Sequence, residues 1–389
     1  MPGCQIIVAK DGEVVIDKSY GKLTSGSAYV NKQTLYDLAS MTKTVATLAA
    51  LMKSFDEGKW KLTDSIYHFI PQLEGMPLGC VTMEQLLYHR SGLKPSIDIY
   101  SFALDTATYK GKPLAWSYKE PYTVKISNGV YLNKNASLRS DLFSDTPSEK
   151  YHLPVAKGIW ASDSARILLM EEIFKLNLKD KSYRYSDLNF CLLMQIQENI
   201  TGKPMEEYLQ DEIYGPLGMR NTGYLPSVSR DMSNIASTEN DRGLRKQHLK
   251  GYVHDETAAF SGGVQGNAGL FSTAEDVVKL CQTWLNGGEY AGTRIYTPET
   301  VELFTQAKDK KSGRALGFDR LTTTKLKGAS DNVYGHTGFT GTCFWIDPAN
   351  NLVYIFLSNR VDPTRDNKAW SSKNPRMAVL SAVYNAMKK

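Results

Sequence analysis

Ser40 and Lys43, in the stretch Ala39-Ser40-Met41-Thr42-Lys43, combine residue types and a spacing that suggest chemistry. Three residues apart at a helix start, they project from one helical face. A serine hydroxyl is a weak nucleophile and needs a neighbouring base. A lysine in a largely apolar helix can supply one, because burial disfavours its charged form. Serine, lysine and a helix N-terminus are the minimal kit for acyl transfer. Two later stretches extend the set. Tyr185-Ser186-Asp187 opens another helix, where a tyrosine could exchange protons with the serine or the leaving group. His336-Thr337-Gly338 precedes the last strand pair, and a glycine there lets substrate lie against the strand edge. The next backbone N–H, that of Phe339, could join that of Ser40 in an oxyanion hole.

Particular elements must position these residues. An Asp11-Gly12 turn between two apolar runs predicts a β-hairpin over residues 5–16. Val45, Leu48, Met52 and Phe55 recur at helical spacing and predict a helix over 40–57, with Gly58 as its stop. Further helices are expected over 83–88, 187–200, 204–214, 273–286 and 375–388. Strands over 342–347 and 352–358 flank a turn at Pro348-Ala349-Asn350-Asn351. Residues 94–160 read as an irregular, aromatic insertion near the site rim, broken by a hairpin over 124–132. Its aromatics (Tyr100, Phe102, Tyr109, Trp116, Tyr118, Tyr122) suit a substrate platform or simple packing equally well. Strands at both ends imply an α+β fold with one sheet and a helical region inserted between. The expected organisation is a single unit over 1–389. Its sheet-containing parts are 1–60 and 290–389, and its mainly helical part is 61–289.

Composition narrows the function classes. Of 389 residues, 42% are hydrophobic and 22% charged, which fits a globular chain with a sizeable core. The net charge of +5 is a small, scattered excess, so nucleic acid is not an expected partner. Lys308-Asp309-Lys310-Lys311 reads as a solvated turn. The five cysteines are widely spaced with no C-x-x-C pair, so buried free thiols are expected rather than disulfides or zinc. No metal or cofactor is expected, and no run is long enough to span a membrane. No signal peptide is visible before the first strand.

The three ordered motifs resemble those of the serine β-lactamase and penicillin-binding-protein superfamily, on its class C β-lactamase, D-aminopeptidase and esterase branch. Ser40 to Lys43 matches S-x-x-K, Tyr185 to Asp187 matches Y-x-N, and His336 to Gly338 matches K-T-G. Leu87 to Leu93, Pro216 to Met219 and Gly269 to Thr273 match accessory stretches. The combination of Pro2-Gly3-Cys4, Gly251 to Asp255 and Ser358 to Val361 also resembles a β-lactamase-like module at the C-terminus of some bacterial family 3 glycoside hydrolases that cleave N-acetylglucosaminides. The missing helix before the first strand is consistent with a domain cut from a longer multidomain chain and equally with a trimmed N-terminus. The resemblance implies an α/β/α sandwich with Ser40 as nucleophile and Lys43 with Tyr185 as base and acid. It implies Asp187, His336, Thr337, Gly338 and Phe339 around the substrate, which would be small or peptidoglycan-derived. It implies a periplasmic or cell-envelope setting.

Two departures shape the expected activity. An ionised Asp187 in place of asparagine donates no hydrogen bond and would hold Lys43 protonated. His336 in place of lysine is mostly neutral at pH 7, and its titration near pH 6.5 is expected to make binding of acidic substrates pH-dependent. Both favour an esterase or D-amino-acid peptidase over an efficient β-lactamase. A catalytically weak sensor of peptidoglycan fragments, or a true class C-like β-lactamase, are the alternatives. Asp187 also suits a helix N-cap, Tyr185 a rim aromatic, and His89, His254 and Asp255 structural roles.

Overall fold

The computed structural model describes residues 1–306, 309, 312–321 and 326–387. Its centre is a six-stranded antiparallel sheet built from both ends of the chain. The order across it is Asp319–Arg320, Tyr334–Thr337, Cys343–Asp347, Leu352–Ser358, Gly3–Lys10 and Glu13–Gly21. Gly3–Lys10 lies between two neighbours and is covered on both faces, so its sequence is a near-continuous apolar run. Side chains alternate between the layers. Ile7, Val353 and Ile355 face the main core with Val277, Leu280 and Trp284 of the helix Ala274–Leu285. Ile6, Val8, Tyr354 and Phe356 face Leu380 and Tyr384 of the helix Pro375–Ala386. These are the expected α+β fold and its sandwich layering. The expected Asp11-Gly12 turn is present, with φ of 54° and 83° as a type I′ turn requires.

The helix expected over 40–57 is three consecutive pieces. A 3₁₀ turn spans Ala39–Met41, a π-helical stretch Lys43–Leu48, and an α-helix Ala49–Asp56. The Tyr214 hydroxyl donates to the Val45 carbonyl at 2.9 Å, satisfying a backbone group within the widened turn. The helices Asp187–Thr201 and Ala274–Leu285 follow expectation. Gly202 (φ 67°) ends the first, and the Thr273 side chain caps the second.

The insertion is more regular than its sequence suggests. It holds two three-stranded sheets, Leu114–Ala115 with Val130–Asn133 and Tyr122–Ser127, and Phe143–Ser144 with Ile159–Ala161 and Leu153–Ala156. The strands are too short to show clear alternation in sequence. Residues 61–289 are therefore less purely helical than expected. Tyr100 and Tyr109 are buried, and Phe102 packs edge-on against Phe260 at 5.0 Å. Trp116 and Tyr118 stay exposed, so packing explains some of these aromatics and leaves those two free.

Asp309 is buried and accepts from Arg90 Nη1 at 3.0 Å, contrary to a solvated turn. Lys308, Lys310 and Lys311, and position 388 of the last expected helix, lie outside the described residues. Cys4, Cys191, Cys281 and Cys343 are buried free thiols, and Cys80 is an exposed one. Among the described residues, no helix is long and apolar enough to cross a membrane.

Candidate active site

Ser40 sits in the 3₁₀ turn where the strand Tyr36–Asp37 runs into the π-helical stretch. Lys43 follows one turn later and is fully buried. Its Nζ lies 2.9 Å from Ser40 Oγ, 3.0 Å from the Asn267 carbonyl and 2.6 Å from Asp187 Oδ1. Asn267 is in turn fastened to Asp255 through its side-chain amide at 3.1 Å. Asp255 also caps the helix Glu256–Phe260, so its role is structural as expected. Burial alone would push the Lys43 amine down. The Asp187 carboxylate, with Tyr185 behind it, outweighs this and carries the pKa above the ordinary lysine value. Lys43 is therefore an ammonium at neutral pH, not the free amine that an apolar helix would suggest.

Asp187 is the first residue of its helix rather than the cap. Ser186 occupies the cap position, and its hydroxyl donates to the Lys94 carbonyl at 2.7 Å. The Asp187 carboxylate is thus left to meet Lys43. The Tyr185 ring lies 5.3 Å from Lys43 Nζ and 6.2 Å from the His336 ring. Burial raises its phenol pKa, Lys43 opposes this only in part, and the hydroxyl stays protonated at neutral pH. His89 is structural as expected. Its Nδ1 accepts from Ser186 N–H at 3.1 Å, and its ring lies 4.6 Å from that of Tyr185.

His336 and Thr337 end the strand Tyr334–Thr337. The outer neighbour Asp319–Arg320 pairs with Tyr334 and Gly335, and among the described residues the edge beyond them has no ladder partner. The His336 imidazole differs from expectation. It is buried, and its Nδ1 donates to the Thr337 carbonyl at 2.8 Å. Burial, then the charges of Arg314 and Lys43, hold its pKa well below 6.5. It stays neutral from pH 6 to pH 8 and cannot supply the expected pH-dependent charge.

Gly338 is required by close approach. A Cβ there would lie 2.1 Å from Thr342 Oγ1 and 2.5 Å from the Leu38 carbonyl, in the loop that carries Ser40. Gly338→Ala is expected to cost about 1–3 kcal/mol of stability and to lower ester turnover more than about tenfold. Thermal unfolding and ester kinetics on the purified variant check this. An unchanged melting temperature with unchanged turnover would contradict the contact. Phe339 is half-exposed, and its ring stacks on His254 at 5.5 Å.

The structure thus brings Ser40, Lys43, Tyr185 and Asp187 together, with His336 beyond Tyr185 and Gly338 against the loop that carries Ser40. It adds residues that the sequence did not single out. Asn267 takes part through its carbonyl, which no residue type announces. Arg314 lies in a stretch with no motif, yet its guanidinium carbon is 5.9 Å from the Tyr185 ring centroid. It is buried and paired with Asp319 at 3.0 Å, while its Nε and Nη2 find no hydrogen-bond partner among the described residues.

Comparison with known proteins fits this geometry. The family model described as Beta-lactamase matches residues 1–373. A protein of Escherichia coli (strain K12), named provisionally as a D-alanyl-D-alanine carboxypeptidase, is 32% identical over 100% of this chain and 87% of its own. The N-acetylmuramyl-L-alanine amidase of Bacillus subtilis (strain 168) is 30% identical over 99% of this chain and 85% of its own. The solved D-alanine carboxypeptidase AmpC from Burkholderia cenocepacia superposes with a TM-score of 0.63 at 15% identity, covering 100% of this chain and 94% of that one.

Proposed function

Since the chain belongs to the beta-lactamase family and is a serine hydrolase of that superfamily, we propose that Ser40 forms an acyl-enzyme with peptides or esters derived from peptidoglycan. The observation that carries this reading is the Lys43 ammonium, held between Ser40 Oγ and the Asp187 carboxylate. Lys43 first gives a proton to Asp187 across the 2.6 Å contact. As Ser40 attacks the acyl carbonyl, its proton passes to the amine so freed, which becomes an ammonium again. The proton thus ends on the pair, and no free base is needed in the resting site. Tyr185, kept protonated, donates to the leaving amine or alkoxide. A cell-envelope setting would follow from such a substrate.

A peptide ending in D-alanine would extend along the open edge at His336 to Gly338, with its terminal carboxylate towards Arg314. That guanidinium supplies the positive charge that His336 lacks. The names of the relatives above support a peptidoglycan substrate for this chain. A second reading, a slowly turning-over recognition module, is favoured by the absence of a free base at rest.

Peptide substrates ending in a free carboxylate are therefore expected to show a lower KM than their C-terminal amides. The preference should be equal at pH 6 and pH 8, because His336 is neutral at both. In Arg314→Gln the acidic substrate should lose about tenfold in KM, or about 1.4 kcal/mol, with the amide unaffected. A preference that peaks at pH 6 and survives in Arg314→Gln would overturn the assignment. Acyl-enzyme that accumulates without product release would favour the recognition module.

A further inference from the structure

Asp37 is buried, yet its carboxylate receives three donors. Ala39 N–H donates to Oδ1 at 2.8 Å, and the His254 backbone N–H donates to Oδ2 at 2.8 Å. The His254 ring gives its Nδ1 proton to the same Oδ2 at 2.9 Å. Side-chain exposure is 1% for Asp37 and 7% for His254, so little water competes for these bonds.

Both ends of this tie lie beside the reacting groups. Ala39 immediately precedes Ser40 and has φ +50°, a conformation that a residue with a Cβ adopts only when held. The His254 ring lies nearly parallel to that of Phe339, with 12° between the planes. Arg360 donates through Nε to the Phe339 carbonyl at 2.6 Å. The two backbone stretches are also sewn together directly. Thr340 Oγ1 donates to the Asp37 carbonyl at 2.7 Å, and Thr342 Oγ1 to that of Leu38 at 3.0 Å. Two of the contacts run through His254: one to the carboxylate that holds Ala39, the other to the Phe339 ring.

We propose that His254 is a positioning residue that, through Asp37 and Phe339, fixes the spacing of the Ser40 and Phe339 N–H groups as an oxyanion hole. The inference rests on the reading of Ser40 as nucleophile. Such a hole is useful only if its donors meet the oxyanion rather than the ground-state carbonyl. Loosening it should therefore act on kcat and not on KM.

The test compares wild type, His254→Leu and His254→Asn on a neutral p-nitrophenyl ester, with a boronic acid as transition-state analogue. In His254→Leu, kcat should fall by about 10²-fold while KM changes little, and boronate affinity should fall by a similar factor. His254→Asn keeps a donor for Asp37 and should recover most of the loss. If His254→Leu does not fold, Phe339→Leu carries the same test at about a tenfold effect. Wild-type kcat and boronate affinity in His254→Leu, or a loss confined to KM, would overturn the proposal. Wild-type protein that forms no adduct on Ser40 would instead overturn the reading of Ser40 itself.

Discussion

Replacing Ser40 by alanine is expected to lower ester and peptide hydrolysis by on the order of 10⁴–10⁶-fold while leaving the fold intact. The substitution removes one oxygen from a 3₁₀ turn whose conformation is set by other groups. Ala39 N–H is held by Asp37, and the Leu38 carbonyl by Thr342. The side-chain partners lost are Tyr185 and Lys43, and Lys43 keeps Asp187 and the Asn267 carbonyl. Circular dichroism and melting temperature should therefore match the wild type. What goes is the covalent route through Ser40. Near-normal turnover in a folded Ser40→Ala protein would remove the basis of the account.

Lys43→Met is expected to have the next largest effect, about 10³–10⁴-fold in kcat/KM, because it removes the carrier that links Ser40 to Asp187. It also leaves the Asp187 charge without its partner. The stability cost should be about 1–3 kcal/mol, below that of a fully buried pair, because Asp187 retains 26% side-chain exposure. The pH behaviour separates a proton-passing pair from a lone amine. The folded pKa of Lys43 is raised, so its charge contributes stability throughout the neutral range, and that contribution is lost only as pH rises beyond the ordinary lysine value. In wild type the pair acts as one unit, and kcat/KM for a neutral ester should be flat from about pH 6 to pH 9. In Asp187→Asn, burial acts on Lys43 without a counter-charge and lowers its pKa. Activity should then climb with pH across the same range. A sloping wild-type profile, unchanged by Asp187→Asn, would contradict the relay.

Much of this was legible in the sequence, and the reasons differ from residue to residue. The sheet could be read because its strands are marked by local features: the Asp11-Gly12 turn, the Pro348 to Asn351 turn and the long apolar runs beside them. Ser40, Lys43, Tyr185 and His336 could be read because their types and order carry chemistry. The electrical state of the site could not. A histidine met in sequence carries its reference pKa, but His336 is buried beside two fixed cations and never charges in the physiological range. Lys43 illustrates the converse, because burial was foreseeable while its 2.6 Å partner decided the outcome. Arg314, Asn267 and the Asp37–His254 pair act through position and backbone groups, which lie far apart along the chain. The two small sheets of the insertion went unread because strands of two to six residues leave too little pattern to recognise.

The most direct measurement is intact-protein and peptide mass spectrometry after treatment with a fluorophosphonate, alongside a slowly hydrolysed peptide ester. One adduct per chain is expected from each reagent, both on Ser40, and none in Ser40→Ala. An adduct on any other residue, or substrate turnover with Ser40 unmodified throughout, would contradict Ser40 as the nucleophile.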